Sequence, residues 1–442
     1  MVTDMKETVI QFGTGNFLRG FFDFFLQTLN EKGLYDGKAV IVSPTDSPAV
    51  ARLNERNCRY TLVTKGRLGG EKVYERKKIE SVSRAVNPYR DFDSFLSLAH
   101  SADFRFIVSN TTEAGIVFDG GCRFEDRPAS SFPGKLTQLL FERYSAGLPG
   151  FVIFACELID DNAEKLKECV LEYAALWKLG DGFTSWLDAE NDFCGTLVDR
   201  IVTGFSAEDE AKLFEDTGKN DPLLDTAEPF HLWVIAGNHE NELPLCRAGL
   251  NVIWTDSVTP YKKMKVRILN GAHTCLVFPS LLCGVDCVRE SLDDPLLSDY
   301  LGVCTDGYIL PALGESREYR DFADAVLERF ANPFIRHLWT SISLNSVSKY
   351  KARVLPSVLD CEKNGVRPLP LLFPLSCLIE YYRTHEGDFE AADRIRDRSV
   401  EDILSDETLW GESLARFSAD VSKGIDIIRT RGIREAVKWS TD

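Results

Sequence analysis

The chain opens with short apolar runs that alternate with an amphipathic stretch. Thr8–Phe12 is a β-prone apolar run that stops at Gly13, and Lys38–Val42 is a second such run. Between them, apolar residues recur every four positions from Phe17 to Asn30, which is typical of one face of a helix. The order of strand, glycine turn, helix and strand predicts a βαβ unit at the start of the chain.

The same alternation continues further along the first half of the chain. Strand-like runs occur at Arg105–Val108 and Gly150–Phe154, and helical patterns occur at Gly134–Ala146 and Asn162–Leu176. Strands that alternate with helices indicate a parallel sheet covered on both faces. We therefore predict an α/β fold with a Rossmann-like, doubly wound sheet and assign residues 1–245 to a dinucleotide-binding domain.

The pattern changes beyond about residue 245, where strand-like runs become rare. Long helical patterns dominate, for example from Tyr261 to Leu281 and from Ile335 to Arg353. We therefore predict that residues 246–442 form a mainly helical domain that binds the substrate and carries the catalytic residues.

Composition narrows the possible partners of this chain. Its 442 residues carry a net charge of −17, which argues against nucleic acid as the main partner. No apolar stretch is long enough to span a bilayer, so we expect a small-molecule ligand and no membrane association. The sequence does not fix an oligomeric state.

The cysteines argue against a bound metal. There are 12, with no CxxC pair, and the closest two, Cys283 and Cys287, have no histidine at ligand spacing. Scattered cysteines of this kind are typically reduced thiols. We expect no metal site and a cytoplasmic location.

The glycine turn after the first strand is a candidate phosphate-binding loop. It reads Gly13-x-Gly15-x-x-Leu18, and so lacks the third glycine of the usual dinucleotide motif. Gly13 would make the tight turn, and Gly15 would let a pyrophosphate approach the helix start. Asp46 is the candidate partner of the ribose hydroxyls. These residues alone leave the choice between NAD and NADP open.

A second candidate site lies in the segment KVRILNGAH. On an α-helix with 3.6 residues per turn, Asn270 lies about 140° and His273 about 80° round from Lys265. All three side chains can then line one side of a pocket. The lysine amine can exchange a proton with a hydroxyl, and the asparagine amide can donate to an alkoxide. The histidine can orient the substrate. The alternative is an amphipathic helix with a solvated basic face.

These motifs resemble those of a known family. Lys265-x4-Asn270-x2-His273 resembles the signature of the polyol-specific long-chain dehydrogenases, the mannitol dehydrogenase family, and QFGTGNFLRGF resembles its cofactor turn. The segment SNTTEAGI resembles the part of that family near the nicotinamide. The resemblance implies NAD as cofactor, catalysis without a metal, and cofactor contacts from Phe12, Gly13, Gly15, Asn16, Phe17, Arg19, Asn110, Thr111, Thr112 and Glu113.

Four segments, SNTTEAGI among them, resemble the uronate-reducing branch of this family. The other three are CELID, TLVDRIVTGF and SLNSVSKYKARVLPS. This likeness implies NADH-dependent interconversion of D-tagaturonate and D-altronate in hexuronate catabolism. Reduction of fructuronate and oxidation of mannitol or arabinitol remain alternatives.

Two features concern the substrate itself. The family's polyol members carry an asparagine where this chain has Leu158, so Asn270 would hold the oxyanion alone or with help from Asn162. A uronate also needs a cation for its carboxylate. We expect Lys349 or Arg353 to clamp that group, with His337 near the sugar hydroxyls. A basic surface face is the alternative.

Overall fold

The computed structural model describes residues 5–112, 114–314 and 316–442. The chain divides into two compact units, the first formed by residues 1–65 and 72–259, the second by residues 66–71 and 260–442. The predicted boundary after residue 245 falls earlier than this division, because a further strand of the first unit follows it. Within the described residues, no helix is both long enough and apolar enough to cross a membrane.

The first unit is built on two sheets. Its strands are β1 (Glu7–Phe12), β2 (Lys38–Val42), β3 (Tyr60–Leu68), β4 (Glu71–Ile79), β5 (Val82–Val86), β6 (Phe106–Ser109), β7 (Val152–Ala155), β8 (Asp192–Asp199), β9 (Asp225–Ala227), β10 (Leu232–Ala236) and β11 (Val252–Thr255). The main sheet has the order β11-β10-β8-β7-β6-β1-β2-β5, and the smaller one the order β4-β3-β9.

The main sheet has the strand order of a dinucleotide-binding fold. Its neighbours pair in parallel, except that β8 and β10 are antiparallel. Alternate residues of β1 enter opposite core clusters, with Val9 on one face and Ile10 on the other. Both faces are therefore covered, as the uninterrupted apolar strands predict. The strand order reverses between β1 and β6, where ligands bind in such folds.

Helices cover this sheet. In the first unit they are α1 (Asn16–Gly20), α2 (Phe22–Glu31), α3 (Ala49–Glu55), α4 (Phe92–Ser97), α5 (Phe132–Ser145), α6 (Asn162–Leu176), α7 (Asp181–Glu190) and α8 (Ala207–Thr217). The predicted helix from Phe17 to Asn30 is thus two helices, because the backbone bends at Phe21, with φ −124° and ψ −79°.

The second unit is mainly helical, as predicted. Its helices are α9 (Thr259–Lys265), α10 (Gly271–Leu282), α11 (Val288–Asp293), α12 (Pro295–Gly302), α13 (Leu310–Leu313), α14 (Arg317–Phe330), α15 (Trp339–Ile342), α16 (Ser346–Arg353), α17 (Leu355–Lys363), α18 (Leu369–Thr384), α19 (Val400–Leu404), α20 (Glu407–Trp410), α21 (Ser418–Arg431) and α22 (Ile433–Thr441). Two π-helical segments, Val266–Asn270 and Val303–Ile309, join consecutive helices.

The predicted helical pattern from Tyr261 to Leu281 is helical throughout, but a π-helical segment interrupts its α-helical turns. The pattern from Ile335 to Arg353 contains two short helices. Asn345, at φ +55°, separates them, and asparagine tolerates this left-handed conformation better than most residues.

Candidate active site

The glycine turn connects β1 to α1 as predicted. Gly13 has φ +140°, and a Cβ there would lie 2.9 Å from the carbonyl oxygen of Asn110. A side chain is therefore excluded where the turn passes β6. At Gly15, which precedes α1, a Cβ would meet no described atom within 4 Å. The backbone at the helix start is thus accessible to a phosphate group.

The surroundings of Arg19 differ from the expectation that this residue contacts the cofactor. Its guanidinium is buried, donates to Leu223 O at 2.8 Å and to Asn16 Oδ1 at 2.5 Å, and lies 3.8 Å from Asp225. The arginine therefore holds the exposed Asn16 from inside the unit and does not present its charge at the surface of the turn.

The two phenylalanines of the motif belong to the core. Phe12 is fully buried, and its ring centroid lies 5.1 Å from that of Phe132. Phe17 is partly buried and stacks on Phe21 at 4.9 Å. The expected cofactor contact of Phe12 is therefore not available to its side chain.

The loop after β6 is held by one buried carboxylate. Glu157 accepts hydrogen bonds from Ser109 Oγ, Thr111 N and Thr111 Oγ1, each at 3.0 Å. Asn110 donates to Cys156 O at 2.6 Å. Burial raises the pKa of Glu157, and these donors oppose that rise.

Beyond these anchored residues, the loop reaches the surface. Thr112 is exposed and has φ +90°. Glu113 lies outside the described residues. The anchored residues therefore present Thr112 at the end of the loop.

Asp46 lies beyond the end of β2 and is exposed. Asn87 Nδ2 donates to its Oδ1 at 3.0 Å, and Arg90 contacts both carboxylate oxygens, through Nε at 3.0 Å and Nη2 at 2.8 Å. The bond from Asn87 and the charge of Arg90 lower the pKa of the carboxyl. A cavity of about 510 Å³ borders Asp46, Asn54 and Asn87. Its size suits the adenosine half of a dinucleotide.

In the second unit, the π-helical segment separates Lys265 from Gly271. Its hydrogen bonds join residues five positions apart, so its wider turn brings Lys265 and Asn270 nearer to one face than an α-helix does. The backbone oxygen of Asn270 accepts from Thr274 Oγ1 at 2.9 Å. No hydrogen bond to a described residue uses the side-chain amide of Asn270, so the amide is available to a ligand.

The π-helical segment is fixed by a buried arginine. Arg267 Nε donates to Ser357 Oγ at 2.6 Å, and Nη2 contacts Asp360 Oδ2 at 3.0 Å. The arginine side chain is only 4% exposed. This pair ties the widened turn, which lies between Lys265 and Gly271, to α17.

His273 lies one turn further on, against aromatic rings. Its ring stacks on Phe330 with centroids 4.1 Å apart, and it lies 5.4 Å from the ring of His337 and 6.2 Å from that of Trp339. Trp339 is fixed in turn, because its Nε1 donates to Ser291 Oγ at 2.9 Å. The imidazole of His273 is therefore held in one orientation.

Positive charge accumulates around this ring. Burial lowers the pKa of His273 well below its ordinary value, so the ring is neutral near pH 7. Electrostatic interaction with His337, and then with the charged side chains of Arg329, Arg353 and Lys349, lowers that pKa further.

The two cations of α16, Lys349 and Arg353, face the rings around His273 and differ in their hydrogen bonding. Burial, and then the charge of Arg353, lower the pKa of Lys349, whose Nζ donates to Ile342 O at 2.8 Å. Burial also lowers the pKa of Arg353. Among the described residues, the Arg353 guanidinium has no hydrogen-bond or ion-pair partner. An anion bound here would compensate this charge.

The expected help from Asn162 is not supported. This side chain is 3% exposed, and its amide donates to Glu157 O at 3.1 Å and to Thr196 O at 3.0 Å. Both amide hydrogens are thus used within the first unit. Leu158, at the position of the family's asparagine, is 60% exposed.

Comparison with known proteins agrees with these two units. Residues 7–246 match the model of the mannitol dehydrogenase Rossmann domain, and residues 257–428 match that of the mannitol dehydrogenase C-terminal domain. The chain belongs to the mannitol dehydrogenase family. The family and the fold class predicted from the motifs are therefore confirmed.

Similar curated members of the family carry one name. An altronate oxidoreductase of Bacillus subtilis is 42% identical, with 93% of this chain and 90% of that protein covered. An altronate oxidoreductase of Cronobacter sakazakii is 41% identical, with 98% and 96% covered.

Solved structures of mannitol dehydrogenase type share the fold. A substrate-free D-sorbitol dehydrogenase matches with a TM-score of 0.85 at 22% identity, covering 98% of this chain and 95% of its own. The Pseudomonas fluorescens mannitol 2-dehydrogenase, solved with NAD and D-mannitol, matches with a TM-score of 0.71 at 21% identity, covering 99% and 94%.

Sequence reasoning missed the residues that support the site in this family member. Glu157 stood in the quoted CELID segment, but no local pattern indicated that it anchors the loop after β6. From the sequence, Arg267 is interpreted as one more cation of a basic helix. A buried arginine among apolar neighbours in a helical pattern was the available signal for its ion pair.

Proposed function

We propose that this chain is an NAD-dependent altronate oxidoreductase that interconverts D-tagaturonate and D-altronate in hexuronate catabolism. The observation that carries the proposal is the unpartnered Arg353 guanidinium in a cationic cluster around His273, beside the helix that bears Lys265. A uronate carries the carboxylate that such a cluster binds, and a neutral polyol does not. The name shared by relatives 40–42% identical supports the same substrate.

Bound NADH supplies the hydride that reduces the keto carbon. Lys265, as an ammonium, donates the proton to the new hydroxyl group and takes it back in the reverse direction. Asn270 donates its amide hydrogen to the oxygen while negative charge develops there. His273, held neutral by burial and by its cationic neighbours, hydrogen-bonds the adjacent hydroxyl and fixes the substrate. No step in this scheme uses a metal.

The carboxylate of the substrate binds the cations of α16. Arg353 offers a planar pair of donors that matches both carboxylate oxygens. Lys349 lies four positions earlier on the same helix face and adds a second positive charge. His337 contacts the sugar hydroxyls next to His273.

The coenzyme binds the first unit at the glycine turn. Gly13 permits the tight turn against Asn110, Gly15 leaves space for the pyrophosphate, and Asn16 and Thr112 are exposed polar side chains beside it. Asp46 takes the ribose hydroxyls, since a carboxylate suits NAD and repels the 2′-phosphate of NADP. The cytoplasm is the proposed compartment, because all twelve cysteines are free thiols.

The experiment that tests this function compares three ketoses with two coenzymes. Oxidation of NADH and of NADPH is measured on D-tagaturonate, D-fructuronate and D-fructose. We expect the highest kcat/KM on tagaturonate with NADH. Preference for fructuronate would make the chain a fructuronate reductase, and preference for fructose would make it a mannitol-type dehydrogenase. Either result would overturn the proposal.

A further inference from the structure

A second group of reactive side chains lies in the first unit, at the opposite sheet edge from the glycine turn. Asp192 begins β8, whereas Gly13 follows the end of β1. β1 and β8 run in the same direction, because each strand from β1 through β6 and β7 to β8 is parallel to its neighbour. The end of β1 and the start of β8 therefore lie at opposite edges of the sheet. β10 is antiparallel to β8, which brings the segment after β10, with His239, to the start of β8.

Three donor atoms of different chemistry meet at this edge. One carboxylate oxygen of Asp192, the sulfur of Cys194 and one ring nitrogen of His239 lie within 4.8 Å of one another. Asp192 and Cys194 are two positions apart on a strand and therefore share a face. Cys194 is 1% exposed, while the Asp192 side chain is 54% exposed. The group is thus buried at the sulfur and open at the carboxylate.

The hydrogen bonds of His239 orient its ring toward this group. Nδ1 lies 3.1 Å from Glu242 Oε1, and Arg105 in turn contacts Glu242 at 2.6 Å and 3.1 Å. An ionised carboxylate only accepts hydrogen bonds, so the tautomer with hydrogen on Nδ1 donates to Glu242 and leaves Nε2 as the ring nitrogen for a ligand. This is the arrangement in which a carboxylate orients a metal-binding histidine.

The other ring nitrogen also faces a carboxylate. His239 Nε2 lies 2.7 Å from Asp192 Oδ2. This contact places a carboxylate oxygen directly beside the ring nitrogen, so both atoms can bind one ion between them.

The backbone passes close to the three donors at a glycine. Gly237 has φ +123°, and a Cβ there would lie 3.3 Å from Cys194 Sγ, 3.8 Å from His239 Cδ2 and 3.9 Å from Asp192 Oδ2. A side chain at this position would therefore contact all three residues, and the positive φ favours glycine there as well.

We propose that Asp192, Cys194 and His239 bind one divalent cation of the zinc class, with solvent as the fourth ligand. Nitrogen, sulfur and carboxylate oxygen are the donors that zinc prefers, in tetrahedral geometry. Tetrahedral coordination needs donor atoms about 3.4–3.7 Å apart. On binding, His239 Nε2 and Asp192 Oδ2, now 2.7 Å apart, must therefore separate, and the longest distance within the group must shorten. The thiol releases its proton to solvent on binding. The cation then links β8 to the segment after β10.

The test measures cobalt and zinc binding to the full-length chain after chelator treatment and dialysis. We expect one metal ion per chain and, with cobalt, a thiolate-to-metal absorption band in the near ultraviolet. Cys194→Ser removes this band, whereas Cys246→Ser, at an exposed free thiol, leaves it unchanged. Zinc raises the Tm of the wild type and leaves that of Asp192→Asn unchanged.

Either of two results would overturn the proposal. They are the absence of stoichiometric metal and a cobalt band that persists in Cys194→Ser. If Cys194→Ser does not fold, the exposed Asp192→Asn decides the question through stoichiometry and Tm. None of these readouts uses substrate, so the outcome is independent of the proposed altronate oxidoreductase activity.

Discussion

The Lys265, Asn270 and His273 side chains have surroundings that suit different tasks. The amide of Asn270 makes no hydrogen bond to a described residue and can donate to a developing oxyanion. His273 is stacked on Phe330 and surrounded by cations, so its ring is neutral and fixed. It can orient a hydroxyl but does not supply positive charge. The positive charge for a substrate carboxylate comes from α16, where the Arg353 guanidinium has no partner among the described residues.

Arg353→Ala should weaken the use of uronates much more than that of neutral ketoses. A hydrogen-bonded charge pair contributes about 1.5–3 kcal/mol, which corresponds to a loss of about 10- to 100-fold in kcat/KM on tagaturonate. Steady-state kinetics on tagaturonate and fructose measure this ratio. The control is Lys351→Ala, an exposed cation of the same helix. Equal relative losses on both substrates in Arg353→Ala would exclude the clamp.

Individual elements show what could be predicted from sequence. The strands of the first βαβ unit follow from their apolar runs, and Gly13 has the positive φ that its place in the motif predicts. The π-helical turn could not be predicted, because a single wider turn shifts the helical pattern over only five residues, which is too short a stretch to reveal the shift. The break at Asn345 depends on a single left-handed residue.

The candidate site could be predicted only in part, for related reasons. The spacing of Lys265, Asn270 and His273 predicts a catalytic group, and that assignment stays a prediction. Arg19, Phe12 and Asn162 were assigned to ligands although they are buried, and burial depends on tertiary contacts with distant segments. The donors at the start of β8 come from that strand and from the segment after β10, so no local spacing indicated them.

The glycine turn gives a prediction about a single element. Gly15 has φ −73°, and its Cβ would meet no described atom within 4 Å, so Gly15→Ala should fold with an unchanged Tm. The added methyl group projects where the pyrophosphate approaches, so the Kd for NADH should rise. Gly13→Ala should instead lower the Tm, because its Cβ would meet Asn110 O at 2.9 Å. Fluorescence titration with NADH and thermal denaturation measure both effects. Unchanged NADH binding in Gly15→Ala would place the phosphate elsewhere.

At the scale of the whole molecule, we expect stability to depend on pH in part through the buried acid Asp23. Asp23 is fully buried, and burial raises its pKa from 3.8 to about 7, although Tyr60 donates to it at 2.8 Å. The folded state therefore holds a proton that the unfolded chain has released. The stabilising contribution is complete below the unfolded pKa of 3.8 and is lost as the pH rises through about 7.

Asp23→Asn should remove this dependence, because an amide does not ionise. The free energy of unfolding of the wild type should fall relative to that of the variant between pH 4 and pH 7, by about 1–3 kcal/mol. Urea denaturation of both proteins at a series of pH values measures the difference. Two curves that stay parallel over this range would show that Asp23 does not titrate on folding.

The turnover of Lys265→Met tests the central claim of a lysine acid and base most directly. Methionine keeps the length of the side chain but cannot carry a proton, so kcat on tagaturonate should fall by about 10²- to 10⁴-fold. The Kd for NADH should stay unchanged, and added primary amines should restore part of the rate. Lys263→Met, an exposed lysine of α9, should keep full activity. Turnover of Lys265→Met close to that of the wild type would contradict the account.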